Sequence, residues 1–318
     1  MIRTNEREMT MSKWWSGLGK KAARWLSPLA VLPLTACATA QPAAQVAEAT
    51  EAKPALWKVA DEDTTIYLFG TIHLLPKELE WRTPAIDKAV AQSEALVLET
   101  SLGTNLAHTG RKMMEMGISP GLPPLLERVP EEKRPALQKL IESASIPTRT
   151  LDRMETWAAA MSLFASSFRG MGFKAEAGVE QGLAADFRAA GKPISGLETV
   201  EQQFGFFDSL SEDSQRAFLV GSIDDPEAAR RQLEAMIAAW AAGDTDAIAR
   251  TFDSETALSP ELRQVLMVNR NKAWAEWLDK RLDEPGTVLV AVGAGHLAGQ
   301  DSVQAMLKGR GIKIERVQ

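Results

Sequence analysis

Two copies of the motif Gly-x-x-His stand near opposite ends of the chain, each directly after a short apolar run. The first copy is Gly70-Thr71-Ile72-His73 and the second is Gly293-Ala294-Gly295-His296. Short runs of β-branched and large apolar residues that stop at glycine are typical of buried strands, and glycine lets the backbone turn sharply where a strand ends. The sequence therefore predicts both histidines at the carboxyl ends of strands, the edge where open α/β sheets bind ligands.

Paired histidines in this context indicate a metal site, because neutral imidazole is the commonest protein ligand of divalent transition metals and a carboxylate usually completes the set. Glu99 is the candidate third ligand beside His73 and His296, since it ends a strand that we expect to neighbour the strand carrying His73. Such a site leaves positions open for water and a substrate oxygen, as catalytic sites do. The alternative is structural: two turn histidines bonded to backbone carbonyls, and a carboxylate that caps the loop after its strand.

Four further side chains are candidates for catalysis. Glu198 follows another short apolar run and fits three roles: a general base, a partner of a ligating histidine, or a carboxylate at a helix N-terminus. Arg270 and Asn271 lie within 264–277, which has the pattern of an amphipathic helix. An arginine there either stabilises an oxyanion or solvates the surface. Glu180 is a weaker candidate, because its surroundings are also those of an ordinary helix start.

The elements that position these residues alternate between strand and helix at both ends of the chain. Near the start, a hairpin within 56–69, a helix from Pro84 and a strand over 95–99 form a β-α-β unit. Strand 287–292, helix 301–308 and strand 312–317 repeat that layout near the end. Apart from a short strand over 193–197, the segments between follow helical spacing. Four tryptophans in them are predicted to pack in the core: Trp157, Trp240, Trp274 and Trp277. We predict an α/β fold with a central mostly parallel or mixed sheet, built from two pseudo-symmetric halves, with helical insertions that form a cap.

The first 37 residues have the layout of a secretory signal, with a basic lead and a short apolar run. That run holds two prolines and is too short to span a bilayer as a helix. It ends in Leu34-Thr35-Ala36-Cys37, which resembles the bacterial lipobox, so Cys37 is the predicted lipidation site. Ala38 after it favours the outer membrane, with the protein facing the periplasm. The alternative is ordinary cleavage after Ala40, which leaves a soluble periplasmic protein.

The rest of the chain divides into a predicted flexible linker over 38–55 and one α/β domain over 56–318. The formal net charge is −6 and no basic block lies outside the signal, so nucleic acid is excluded as a partner. Cys37 is the chain's single cysteine, and no disulfide is predicted to stabilise the mature fold.

The ordered motifs resemble those of the TraB/PrgY/GumN family, whose wider group includes the animal Tiki ectodomain proteases. The matching segments are Tyr67–His73, Leu96–Glu99, Gly196–Thr199, Arg270-Asn271 and Val292–His296. The resemblance implies an α/β fold with pseudo-symmetric halves and a metal-dependent, protease-like site. It implies manganese or cobalt, with zinc as an alternative, held by His73, His296 and Glu99, with Arg270 nearby. One departure is Glu180, where the family pattern has an aspartate.

These observations together predict a metal-dependent, peptidase-like hydrolase anchored in the bacterial cell envelope, acting on a peptide or protein. Arg270 and Asn271 are expected to orient or stabilise the cleaved amide, and Glu198 to assist in activating water. Two alternatives stay open: a non-catalytic lipoprotein that binds or sequesters peptides in signalling, and a lipoprotein that carries a metal or haem, since paired histidines also hold haem iron.

Overall fold

A mixed six-stranded sheet forms the centre of the described part of the chain, as predicted. The computed structural model describes residues 52–318, with the exception of 77, 101–105, 171–177, 222, 224–225 and 257–258. The predicted signal with Cys37, and the predicted linker up to residue 51, lie outside these residues. The strands are β1 (Leu56–Ala60), β2 (Thr64–Thr71), β3 (Ala95–Thr100), β4 (Ile194–Glu198), β5 (Gly286–Gly293) and β6 (Ile314–Arg316).

The sheet order is β4-β3-β5-β2-β1-β6, and the first four of these strands run parallel. β1 forms the predicted hairpin with β2 and also pairs antiparallel with β6. β2 and β5 pair along their whole length, from Thr64 opposite Gly286 to Thr71 opposite Gly293. The two Gly-x-x-His motifs therefore leave the sheet from neighbouring strands at the same edge.

The prediction that the strand of Glu99 neighbours the strand of His73 is wrong. β5, from the far end of the chain, lies between β2 and β3 and pairs in parallel with both. The physical reason is that both faces of β5 are apolar and buried, and such a strand is most stable at the centre of a sheet covered on both sides. Glu99 consequently ends a strand beside the one that carries His296.

Helices surround the sheet, and proline and hydroxyl caps mark several of their starts. Thr83 caps α1 before Pro84, and Ser302 caps α13, as their types favour. The helices are α1 (Pro84–Gln92), α2 (Leu106–Met116), α3 (Arg134–Ala144), α4 (Thr148–Asp152), α5 (Thr156–Gly170), α6 (Val179–Ala189), α7 (Val200–Asp208), α8 (Glu212–Gly221), α9 (Pro226–Ala241), α10 (Thr245–Thr256), α11 (Pro260–Arg263), α12 (Asn269–Arg281) and α13 (Val303–Gly309). Short 3₁₀ segments cover Leu125–Arg128, Glu131–Lys133 and Ala294–Leu297, and a π-helical turn covers Gln264–Val268.

Both faces of the sheet carry an apolar core, because successive side chains of a strand point to opposite sides. On one face, Tyr67 and Phe69 pack with residues of α1, α6 and α9. On the other, Ile66 and Leu68 pack with residues of α12 and α13. The architecture in the described residues is thus helices, sheet and helices in three layers.

A separate helical cluster accounts for the insertions predicted between the strands. Its core is centred on the fully buried Trp157 of α5 and includes residues of α3, α7 and α8, among them Leu137, Phe204 and Leu219. Among the residues that the structure describes, no helix is long and apolar enough to cross a membrane.

The folded domain begins a few residues before the predicted boundary at Leu56. Ala52 and Ala55 are buried, and the backbone N–H of Lys53 donates to the carbonyl of Ala241 at 2.6 Å. The last residues of the predicted linker are therefore part of the domain, because they pack beside the end of α9.

Trp240 connects α9 to the end of β2. Its side chain is buried, its ring lies against Phe69 with centroids 6.4 Å apart, and its Nε1–H donates to the carbonyl of Gly70 at 2.7 Å. Gly70 opens the first Gly-x-x-His motif. This bond therefore fixes the backbone just before the turn that carries His73.

We expect Trp240→Phe to lower the free energy of unfolding by about 1–3 kcal/mol, because it keeps an aromatic ring but leaves the Gly70 carbonyl without its buried donor. Urea unfolding at neutral pH measures this. Trp277→Phe is the control, because Trp277 is only half-buried, on the opposite face of the sheet. Equal losses in the two variants would contradict a special role for the Trp240 bond.

Candidate functional site

The carboxyl edge of the parallel strands gathers the candidate residues. Glu99 lies at the end of β3 and Glu198 at the end of β4, while His296 lies in the 3₁₀ turn directly after β5. His73 follows β2. Arg270 and Asn271 reach the same edge from the first turn of α12. The predicted convergence of the ends of the strands is confirmed.

Arg270 is the centre of this arrangement and is almost completely buried. Its guanidinium binds Glu198 with two hydrogen bonds, from Nε to Oε1 at 2.8 Å and from Nη2 to Oε2 at 2.9 Å. Nη2 also donates to Oε2 of Glu99 at 2.7 Å, and Nη1 lies 3.1 Å from Nε2 of His296. Burial alone would lower the pKa of Arg270, but the two carboxylates outweigh it and raise this pKa. The alternative that Arg270 merely solvates the surface is wrong.

Glu99 is held in its ionised form. Besides Arg270, its carboxylate accepts from the backbone N–H of Gly293 at 2.6 Å and from Nε2 of Gln203 at 3.3 Å. Burial alone would raise the pKa of this carboxyl, but its interactions with His296, Arg270 and His73, together with the Gly293 N–H, lower it to about 2. Glu99 is thus a carboxylate at neutral pH with its oxygens directed into the site.

The side chain of Glu198 is somewhat more buried than that of Glu99. Its Oε1 accepts from the indole Nε1–H of Trp274 at 2.9 Å in addition to the bonds from Arg270. Burial raises the pKa of Glu198, and the bonds from Arg270 and Trp274 oppose that rise. With two bonds from the guanidinium and one from the indole, Glu198 positions Arg270 in this arrangement.

His296 has a defined tautomer. Its Nδ1 lies 2.6 Å from Oδ1 of Asn271, an oxygen that can only accept, and its Nε2 faces the guanidinium of Arg270, which can only donate. The proton is therefore assigned to Nδ1, and Nε2 carries the lone pair. The imidazole is buried against the indole of Trp274, with ring centroids 4.4 Å apart. Burial lowers the pKa of His296 to about 3, so that the ring is neutral at physiological pH.

His73 lies in a different environment from His296. About 70% of its side chain is exposed, and its Nδ1 lies 2.7 Å from Oε1 of Glu180, near the start of α6. The Glu180 carboxylate raises the pKa of His73. Both Oε1 of Glu180 and the hydroxyl of Thr71 are buried without a well-aligned hydrogen bond among the described residues. This pocket of polar atoms lies close enough to the main cluster that Glu99 also contributes to raising the pKa of His73.

Three contributors were missed by sequence reasoning. Trp274 was expected to pack only in the core, yet its indole binds Glu198. Because Trp274 is four residues from Arg270, both lie on one helix face, and this spacing could have predicted that Trp274 reaches the site. The sequence pattern gave no indication that Gln203 and the Gly293 N–H would contact Glu99.

The predicted continuous helix over 264–277 instead has a π-helical turn just before Arg270. Nη1 of Arg270 donates back to the carbonyl of Leu266 at 3.2 Å.

The imidazole nitrogen of His296 and the carboxylate of Glu99 are ligand types that divalent transition metals bind. Nε2 of His296 and Oε1 of Glu99 are 3.8 Å apart, and two atoms that each lie about 2.1 Å from one ion can be at most about 4.2 Å apart. Arg270 donates to Glu99 and contacts His296. Among the described residues, no group of three His, Cys, Asp or Glu side chains is arranged to hold an ion. The structure thus brings two of the predicted ligand atoms within the span of one ion, and forms no three-ligand group with His73 among the described residues.

Comparison with known proteins places this site in a family. Residues 55–316 match the TraB/PrgY/gumN family, and the chain belongs to that family. Two relatives, each named "Uncharacterized protein YbaP", come from Escherichia coli K12 and Shigella flexneri; both are 27% identical over 242 residues, which cover 76% of this chain and 87% of theirs. An uncharacterized protein of Treponema pallidum is 22% identical over 306 residues, 90% of each chain. No solved structure matches the chain.

We expect Arg270→Met to lower the free energy of unfolding of the metal-free protein by about 3–5 kcal/mol at neutral pH, because it leaves two buried carboxylates without their counter-charge. The difference from wild type should shrink in acid. Glu99 has a folded-state pKa of about 2 against an ordinary 4.5, so its stabilising contribution is complete above the ordinary value and disappears as pH falls towards the folded value. Urea unfolding in the presence of a chelator, from neutral pH down to about pH 3, measures both effects.

The control for Arg270→Met is Arg82→Met. Arg82 also bridges two carboxylates, those of Asp87 and Asp186, each at 2.7 Å, but it does so at the surface. Its removal should lower stability by less than about 1 kcal/mol. A similar loss in both variants, or a loss for Arg270→Met that does not change with pH, would contradict the central electrostatic role of Arg270.

Proposed function

We propose that the protein is a metal-dependent, peptidase-like hydrolase. The observation that carries this proposal is the state of His296 and Glu99: a neutral imidazole whose Nε2 bears the lone pair, 3.8 Å from an ionised carboxylate. Metal ligands must be neutral imidazole or deprotonated carboxylate, and both residues are already in those forms. Membership of the TraB/PrgY/gumN family supports the proposal without specifying a reaction, because its relatives named above are uncharacterised.

His73, His296 and Glu99 would hold the ion, which is manganese or cobalt by resemblance, with zinc as the alternative. Each histidine presents a partner at Nδ1, Glu180 for His73 and Asn271 for His296, which leaves Nε2 of both rings as the ligand atom. When bound, such an ion polarises a carbonyl and lowers the pKa of its water.

The protein's own groups would prepare the site for an amide substrate. Arg270 supplies a fixed positive charge beside the ligands, where charge develops on an amide oxygen as it is attacked. Glu198 and the ring of Trp274 hold the guanidinium in place, through the two bonds from Arg270 and a cation–π contact of 4.7 Å. Glu198, which was predicted to assist in activating water, instead binds Arg270 and Trp274, while Glu180 pairs with Nδ1 of the exposed His73.

One observation favours a second candidate, a peptide-binding protein without catalytic activity. Arg270 already binds Glu99 and faces Nε2 of His296, so both predicted ligand residues have a protein partner without a metal. A site of this kind would use the guanidinium to bind a carboxylate or carbonyl of a peptide without cutting it.

We expect the wild-type protein to bind about one divalent ion and to hydrolyse members of a peptide library when supplied with manganese or cobalt. His296→Ala should lose both properties, because it removes a ligand and its lone pair. Metal analysis and mass spectrometry of the library measure them. The matched control is His108→Ala, because His108 is a partly exposed histidine of α2 that contacts Glu201 instead.

Hydrolysis that survives in His296→Ala, or that continues after exhaustive chelation, would contradict the metallopeptidase proposal. Binding of a peptide that is recovered uncut would favour the second candidate, particularly if Arg270→Met abolished that binding.

We also propose that the protein is an outer-membrane lipoprotein that faces the periplasm, with Cys37 as the lipidated residue. The support is the lipobox-like run Leu34-Thr35-Ala36-Cys37 at the end of a basic and apolar leader, and the use of the chain's single cysteine at that position.

Cys37→Ala is expected to move the protein from the outer-membrane fraction to the soluble or unprocessed fraction, because the lipid attachment point is lost. Fractionation of a Gram-negative host, with labelled fatty acid as a second readout, measures this. Cys37→Ser removes only the thiol and should behave in the same way. Unchanged membrane association without label incorporation would favour a different mode of export.

A further inference from the structure

Asn271 lies behind the ring of His296, on the side away from Glu99 and Arg270. Oδ1 of Asn271 is 2.6 Å from Nδ1 of His296, and both residues are buried. We propose that Asn271 is a positioning residue that holds the His296 imidazole as the Nδ1–H tautomer, with the Nε2 lone pair turned towards the site. This differs from the role predicted from the sequence, in which Asn271 contacts the cleaved amide.

The orientation of the Asn271 amide is itself determined. Its Nδ2 donates to the backbone carbonyl of Asp301 at 2.7 Å. A flipped amide would place its oxygen against that carbonyl and its NH₂ against Nδ1, so the network admits only the orientation in which Oδ1 faces the histidine. The loop is fixed in turn, because the Asp301 carboxylate pairs with Arg263 at 2.7 Å.

Arg270 favours the same tautomer in the free protein, but its contact is on the nitrogen that a ligand would use. Its Nη1 lies 3.1 Å from Nε2 of His296, and an ion or substrate group would use the lone pair of that nitrogen. Any ligand on Nε2 displaces that contact. The 2.6 Å contact with Asn271 is on the opposite nitrogen and is not displaced, so Asn271 orients the ring both before and after a ligand binds Nε2. The consequence for activity depends on the proposed function, whereas the tautomer does not.

The chain's three histidines make the tautomer directly measurable. In the metal-free full-length protein labelled with ¹⁵N-histidine, long-range ¹H–¹⁵N spectra distinguish the two neutral tautomers, and His73→Gln and His108→Gln assign the signals. We expect His296 to show a single Nδ1–H tautomer whose ring proton exchanges slowly with water. An Nε2–H tautomer or a mixture in the wild type would overturn the proposal, whether or not any variant folds.

A variant of Asn271 separates positioning from simple packing. Asn271→Leu should lose the protected Nδ1 proton and weaken zinc binding by about 10–100-fold. Asn269→Leu is the matched control, because Asn269 is an exposed asparagine of the same helix turn. Retention of the protected Nδ1 proton in a folded Asn271→Leu protein would also overturn the proposal. A protein with the expected tautomer that hydrolyses nothing would contradict the proposed function but leave this inference intact.

Discussion

The arrangement depends on one buried positive charge between two buried carboxylates. Glu99 and Glu198 end adjacent strands, so the sheet brings two negative charges to one edge that water hardly reaches. Without compensation, their burial and repulsion would be strongly unfavourable. Arg270 supplies three of the hydrogen bonds that bind them. Because α12 follows β4 by about 70 residues of chain, the edge becomes stable only when distant segments have assembled.

The two histidines differ in electrical state, and burial and the Glu180 carboxylate are the main causes. The guanidinium of Arg270 faces Nε2 of His296, and a proton on that nitrogen would meet a cation; burial and this charge together keep the ring neutral. His73, which follows the neighbouring strand, is exposed and paired with Glu180, and its pKa moves in the opposite direction. Two copies of one motif thus give two histidines with different properties, because the residues around each copy differ.

Local patterns predicted much of the fold and the composition of the site. The apolar runs, the hairpin and the helix from Pro84 were all readable, since strand period and capping preferences act over a few residues. The position of β5 between β2 and β3 could not be predicted from local patterns, because pairing between strands far apart in sequence is decided by how the layers pack. Likewise, the sequence of an amphipathic helix does not show whether an arginine in it faces solvent or a functional site. Only the tertiary arrangement shows that Arg270 faces inward.

The glycines of the two motifs have a role beyond turning the chain. A Cβ on Gly293 would lie 2.9 Å from Oε1 of Glu99, closer than side-chain carbons normally approach, and would displace the carboxylate from its bond with the Gly293 N–H. A Cβ on Gly70 would lie 3.1 Å from Cα of Ala294, which belongs to the second motif. The first glycine therefore makes room for the second motif, and the second makes room for Glu99. The absence of a side chain at these two positions thus favours the close packing of Glu99 and the second motif at this edge, in addition to any condition that a ligand imposes.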